Sequence, residues 1–160
     1  MKFFNMKTII LYATKYGAAE DIAQRIAKEI DGAIIHNLNK DAPALEEFDC
    51  IIIGSSVYAG KIRKEAKEFL AKNKDALLKK KYGLFVSGIG EDGEKKYFKD
   101  NFPPEIMQNA KAAGFLGGIF DPKKAGAFER FIIKLIVKHP NYINIIDEDR
   151  IIKFAEIMEE

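Results

Sequence analysis

Three short stretches of this chain combine small residues with hydroxyl or aromatic side chains, an arrangement suited to holding a flat anionic ligand. The first is Thr14, Lys15, Tyr16, Gly17, Ala18 and Ala19, which follows a β-branched run and precedes Glu20, where helical periodicity begins. Small residues there let backbone N–H groups converge on an anion, and a helix N-terminus adds partial positive charge. No Gly-Lys-Ser/Thr follows, and the turn is not Gly-x-Gly-x-x-Gly, so it matches neither a triphosphate P-loop nor a dinucleotide turn. Taken alone, it reads equally well as an ordinary strand-to-helix turn. The second stretch follows Gly54 and comprises Ser55, Ser56, Val57, Tyr58, Ala59 and Gly60; the third is Ser87, Gly88, Ile89 and Gly90. A ring with a phosphate tail needs an anion cradle at one end and two loops to clasp it. Tyr58 is the aromatic that could stack on such a ring.

Other reactive residue types point to blander roles. Cys50 lies inside an apolar run and reads as a small buried hydrophobe. One cysteine allows no intramolecular disulfide or Cys-rich zinc site. His36 and His139 are too far apart in sequence to suggest a shared metal centre, and His139 suits the C-terminal end of a basic helix. No metal site is expected, and no side chain stands out as a catalytic acid or base.

At 160 residues the chain is long enough for one domain with a full core. Its apolar runs are too short to span a bilayer, and the N-terminus lacks the apolar stretch of a signal peptide, so a cytoplasmic protein is expected. Charge is uneven. Six basic residues face eight acidic ones in residues 1–60, eighteen face ten in 61–140, and two face six in 141–160. The basic middle reads mainly as lysine-rich solvated helix faces, and without an Arg-rich run or binding motif nucleic acid is not an expected partner.

The elements that must carry these loops alternate. Strands are predicted at Lys7–Ala13, Ala33–Leu38, Phe48–Ile53, Tyr82–Ser87 and Gly114–Phe120. Helical periodicity appears at Ile22–Ile30, Ile62–Leu70, Glu105–Ala112, Phe128–Lys138 and Asp147–Met158. This βαβα order implies an α/β fold, a mostly parallel sheet with helices on both faces. Ligands bind such sheets at the carboxyl ends of the strands, where all three loops fall. In the helix at 128–138, Phe128, Phe131, Ile132, Leu135 and Ile136 make a face wide enough to cover the sheet. Ile133 and Val137 lie outside that face, and Arg130, Lys134 and Lys138 form a narrow basic stripe. The surplus apolar surface can be covered by residues 139–160, by a second subunit in a homodimer, or by a partner or membrane surface.

The runs Ile9-Ile-Leu-Tyr-Ala-Thr-Lys-Tyr-Gly17 and Asp49-Cys-Ile-Ile-Ile-Gly-Ser-Ser56, with the loop at Ser87, resemble the flavodoxin-like family over nearly the whole chain. The segment Ala127-Phe-Glu-Arg-Phe-Ile-Ile-Lys-Leu-Ile-Val-Lys138 is similar to its counterpart in the menaquinone-dependent protoporphyrinogen dehydrogenase branch. The resemblance implies a single flavodoxin-like domain over residues 1–160, a three-layer sandwich around a five-stranded parallel sheet of order 2-1-3-4-5. It implies FMN as cofactor, with the phosphate at Thr14–Ala19 and the isoalloxazine between Ser55–Gly60 and Ser87–Gly90. Two departures stand out. Ala18-Ala19 replaces the family's usual hydroxyl, leaving Thr14, Lys15 and backbone N–H groups to hold the phosphate. Asp121–Ala127 lacks the aromatic and arginine-rich character of the porphyrinogen-oxidising branch.

The reading is an FMN-binding electron-transfer protein or flavin oxidoreductase, with a redox partner protein or quinone as partner. Gly60 is singled out because a glycine can reorient its peptide cheaply and turn a carbonyl toward the N5–H of a reduced flavin. The first alternative is a quinone-linked protoporphyrinogen IX dehydrogenase of heme biosynthesis, touching the inner face of the membrane through residues 128–138. The other is a flavin-less interaction or signalling domain. A phosphate receiver would need acidic residues where this chain has Thr14 and Gly54-Ser55.

Overall fold

The computed structural model describes residues 6–90, 94–124, 126–136 and 142–160, without the side chains of 128, 129, 132, 133 and 136. Strand β1 (Thr8–Ala13) is buried along its whole length, as suits the apolar run that follows Thr8. Ile9, Leu11 and Ala13 face one core, while Ile10 and Tyr12 face the other. Helix α1 (Ala18–Glu29) follows, then β2 (Ile34–Asn37), a 3-10 turn at Leu45–Glu47, and β3 (Cys50–Tyr58). A two-residue turn leads to β4 (Lys61–Ile62), followed by α2 (Lys64–Leu78) and β5 (Lys81–Ser87). The chain continues through α3 (Glu94–Asn101), α4 (Pro104–Asn109), β6 (Ala112–Phe115), β7 (Ile119–Phe120), α5 (Ala127–Ile136), β8 (Ile143–Asn144) and α6 (Glu148–Glu159).

Five strands pair in parallel in the order β2-β1-β3-β5-β6, which is 2-1-3-4-5 when only the parallel strands are numbered. Strand β4 folds back antiparallel on the end of β3, and β7 pairs antiparallel with β8. Helices α1 and α6 cover one face through Ile22, Ile26, Ile151, Phe154 and Met158. Each such buried side chain stabilises the layer by about 1.5–3 kcal/mol. Helices α2, α3 and α4 cover the other face through Phe69, Leu70, Phe98 and Ile106. The three-layer α/β architecture therefore follows the alternation read from the sequence.

The C-terminal half differs in detail. The fifth strand is Ala112–Phe115, two residues earlier than the predicted Gly114–Phe120, and the helix before it ends at Asn109. The expected strand breaks at Gly117, which has φ +92°; a Cβ there would lie 2.0 Å from the Ile145 carbonyl. Ile119–Phe120 then joins a separate ladder with β8. The third strand runs five residues beyond the expected Ile53, carrying its end into the β4 hairpin. Two residues of the α5 face expected to cover the sheet point to solvent among the described side chains. Phe131 and Leu135 are 59% and 71% exposed. Phe128, Ile132, Ile133 and Ile136, expected to contribute side chains to that helix, lie outside the described side chains, as Val137, Lys138 and His139 lie outside the described residues. Cys50 is fully buried, and burial pushes its thiol pKa up. His36 sits on edge strand β2, its Nε2 3.4 Å from the Lys40 carbonyl. Among the described residues, no helix is long and apolar enough to cross a membrane.

Candidate functional site

The ends of β1, β3 and β5 open into one cleft of about 230 Å³. Its walls include Thr14, Lys15, Tyr16 and Ala18 from the first loop, Ser56, Val57, Tyr58, Ala59 and Gly60 from the second, and Ser87, Gly88, Ile89 and Gly90 from the third. Gly17, Ala19 and Ser55 do not line it. Ser55 is 1% exposed and braces the framework instead. Its Oγ accepts from the Arg63 N–H at 2.8 Å and donates to the Ser56 carbonyl at 2.9 Å. Ala19 is buried in the first turn of α1.

Gly17 shapes the first loop through its backbone. It is the N-cap residue of α1 with φ +99°, and its N–H donates to Thr14 Oγ1 at 2.8 Å. No side chain caps the helix. The first bond back into the turn is Asp21 N–H to the Gly17 carbonyl, leaving the amides of Ala18, Ala19 and Glu20 without helical acceptors. The nearby acids are directed elsewhere. Asp21 pairs with Arg25 at 2.6 Å, and Glu20 interacts with the Tyr12 hydroxyl, whose pKa is raised by burial and then by Glu20. A Cβ built on Gly17 meets no atom within 4 Å, so the turn faces open space. The donors and the room both suit a phosphate group.

The second loop is a tight hairpin. Tyr58 pairs with Lys61, and the central residues Ala59 and Gly60 have φ +50° and +79°, the type I′ pattern. The turn displays Tyr58 toward the first loop, where the Lys15 ammonium stands 3.8 Å from its ring centroid and 5.4 Å from that of Tyr16. Such cation–π contacts contribute about 0.5–1 kcal/mol at exposed sites. The Gly60 carbonyl, expected to be free to turn, accepts from Asn101 Nδ2 at 2.9 Å. Deeper in the cleft lie Ser56 and Ser87, neighbours across β3 and β5. Each has an Oγ buried without a hydrogen-bond partner among the described residues. Unpaired buried hydroxyls are costly unless a ligand or water meets them.

Four further residues line the cleft that the sequence motifs did not mark: Tyr97, Ile119, Phe120 and Ile143. Tyr97 stands on α3 and stacks on Phe115 with ring centroids 6.2 Å apart; burial raises its phenol pKa. Ile143 and Phe120 pair in the β7–β8 ladder and pack with Ile89 as a small cluster beside the third loop. Gly118 permits this approach, because a Cβ there would lie 2.4 Å from the Gly88 carbonyl. The apolar ladder thus extends one wall beyond the three loops.

Known proteins resemble this chain in sequence and in fold. A flavodoxin domain model matches residues 9–142. The protoporphyrinogen IX dehydrogenase [quinone] of Escherichia coli K12 is 27% identical over 147 residues, covering 83% of this chain and 80% of that protein. A short-chain flavodoxin associated with a PDU bacterial microcompartment superposes with a TM-score of 0.57 at 20% identity, covering 96% of this chain and 97% of its own. A Lactobacillus acidophilus flavoprotein in complex with FMN gives 0.50 at 18% identity, covering 71% and 91%. The two structural likenesses bear on the fold.

Proposed function

We propose that this chain, which belongs to the flavodoxin domain family, binds FMN in the cleft at the ends of β1, β3 and β5 and acts as a flavin electron-transfer protein or oxidoreductase. The observation that carries this reading is the convergence of an N–H-rich turn and two ring-sized loops on one cleft. Thr14 Oγ1 and the amides at the start of α1 would hold the phosphate, with Lys15 adding charge. Tyr58, Ala59 and Gly60 would border the ring on one side and Ser87, Gly88, Ile89 and Gly90 on another. Lys15 now covers a face of Tyr58, so a ring stacking there must displace it. A phosphate in the adjacent turn gives the ammonium a new partner. Bound FMN would supply the one- and two-electron chemistry, and the protein its orientation and electrostatic setting. The structural neighbour crystallised with FMN supports the choice of cofactor.

Titration of flavin-stripped protein with FMN and with riboflavin tests the reading. FMN is expected to bind more tightly, with flavin absorbance bands perturbed on binding. Equal affinity for the two ligands removes the phosphate site, and binding of neither removes the cofactor.

The apolar extension made by Ile89, Ile119, Phe120 and Ile143 favours a second, narrower reading. A redox substrate with a flat apolar body, such as a quinone, would fit against this wall better than a protein partner alone requires. The similarity to the quinone-dependent E. coli enzyme points the same way, toward oxidation of protoporphyrinogen IX. Flavin-loaded protein that oxidises protoporphyrinogen with a quinone acceptor would support it; failure to do so leaves a soluble electron carrier. On the same reading α5 meets the inner face of the membrane. Phe131, Leu135 and Tyr142 are exposed beside the exposed cations Lys123, Lys124, Arg130 and Lys134. Sedimentation with anionic liposomes at low salt should fall when Phe131 and Leu135 are replaced by Ser. If the parent stays in solution with liposomes but sediments as a dimer, a second copy covers that face instead.

A further inference from the structure

Three asparagines on helices share a local habit. Asn73, Asn101 and Asn109 each donate from Nδ2 to the carbonyl four residues back, at 3.0, 2.8 and 2.9 Å. Asn101 does more. Its Nδ2 also donates to the Gly60 carbonyl at 2.9 Å, and its Oδ1 accepts from the Ile62 N–H at 3.0 Å. An amide side chain offers two N–H donors and one carbonyl oxygen, and all are engaged here. The two added bonds reach across about forty residues of sequence, one to the second central residue of the Tyr58–Lys61 turn and one to the residue just after it. Asn101 is the last residue of α3, one turn beyond Tyr97, which also lines the cleft. One side chain therefore joins the helix bearing Tyr97 to the hairpin bearing Tyr58.

We propose that Asn101 is a positioning residue for the cleft: it fixes the spacing of the Tyr58 and Tyr97 walls and holds the Gly60 carbonyl out of reach of a bound ring. This inference rests on the FMN reading for its redox consequence, while its structural part does not. The turn has a second restraint of its own. Reversing the Ala59–Gly60 peptide would convert the type I′ turn to type II′, which calls for glycine at the first central position, where Ala59 stands. Two neighbouring peptides of one turn are thus restrained, the Gly60 carbonyl by Asn101 and the Ala59–Gly60 peptide by Ala59. A flavin gains an N5–H on reduction, and a carbonyl free to accept from it would favour the reduced form. Releasing the Gly60 carbonyl should consequently raise the midpoint potential of the bound cofactor.

The test compares Asn101→Ala and Asn101→Asp with Asn73→Ala, which removes only the local helix bond of the same kind on α2. In ligand-free protein, amide exchange at Ile62 should accelerate about tenfold in Asn101→Ala, the loss of one hydrogen bond. It should stay near the parent rate in Asn101→Asp, which keeps the accepting oxygen. In both Asn101 variants FMN and riboflavin affinities should fall by a common factor of about three to ten, because the phosphate turn is untouched. The midpoint potential should rise in Asn101→Ala, and Asn73→Ala should change neither affinity nor potential. Parent-like Ile62 exchange in Asn101→Ala would overturn the clamp. Parent-like affinity and potential in an FMN-binding Asn101→Ala protein would overturn its role in the cleft. A parent that binds no FMN would remove the cofactor reading, while the Ile62 exchange would still decide whether Asn101 fixes the turn.

Discussion

Replacing Gly17 by alanine separates what the first turn costs the fold from what it gives a ligand. The residue has φ +99° and ψ −5° at the N-cap of α1, and an added Cβ meets nothing within 4 Å. The structural cost is therefore backbone strain rather than a clash, about 1–2 kcal/mol for an L-residue in the left-handed region. Alanine also restricts the unfolded chain, which returns about 0.4–1 kcal/mol. The net loss is about 1 kcal/mol, and for a chain of this length it lowers Tm by about 2–4 °C. Gly17→Val adds a β-branch and should lose more. Calorimetry of the ligand-free protein measures this part. Titration with FMN and riboflavin measures the other: a methyl group projecting into the open turn should weaken FMN more than riboflavin, because only FMN carries a phosphate. A parallel loss of both affinities would refute the cradle, and an unchanged or raised Tm would refute the left-handed geometry of Gly17.

Tyr58→Ala should weaken FMN by about 0.5–1.5 kcal/mol and shift the bound flavin's absorbance spectrum; unchanged affinity and spectrum would mean that Tyr58 does not border the ring. Gly54→Ala should destabilise the core by about 1–3 kcal/mol or more, since its Cβ would stand 1.9 Å from the fully buried Phe85 ring. Chemical denaturation reads that loss, and a parent-like midpoint would contradict the packing of β3 against β5. Burial raises the pKa values of Cys50, Tyr12, Tyr82 and Tyr97. The unfolded chain ionises these groups first, so their stabilisation is full below about pH 8.5 and declines as pH rises. The urea midpoint should accordingly fall from pH 8 to pH 10, and native Cys50 should resist thiol reagents; a rising midpoint would contradict the burial of these groups.

The parts of the fold written in local pattern were legible. The runs of β1 and β3 read as strands, and in the structure both are covered on two faces, their side chains alternating between two cores. Asp147 caps α6 by accepting from the Arg150 N–H at 3.0 Å, just where the helical pattern was expected to begin. The features that escaped depend on distant partners or weak local signals. Helix α3 buries only Phe98 among its described side chains, so its Lys-rich sequence has little periodicity and Tyr97 stayed hidden. The β4 hairpin turns on Ala59-Gly60, where Asn-Gly or Asp-Gly would have announced two positive φ angles. Pairing of Phe120 with Ile143 joins segments 23 residues apart, and no local pattern specifies it. The broken fifth strand was foreshadowed by Gly117-Gly118, but the reason for the break is the distant Ile145 backbone.

A ¹H–¹⁵N correlation map of the protein titrated with FMN probes the flavin site residue by residue. Amide shifts should be largest at Lys15–Glu20, Ser56–Gly60 and Ser87–Gly90, with a smaller response at Tyr97 and the β7–β8 ladder. Substituting riboflavin should remove the response at Lys15–Glu20 and preserve those of the other two loops. Shifts centred away from these three loops, or no saturable response to FMN at all, would contradict the assignment of the cleft as the flavin site.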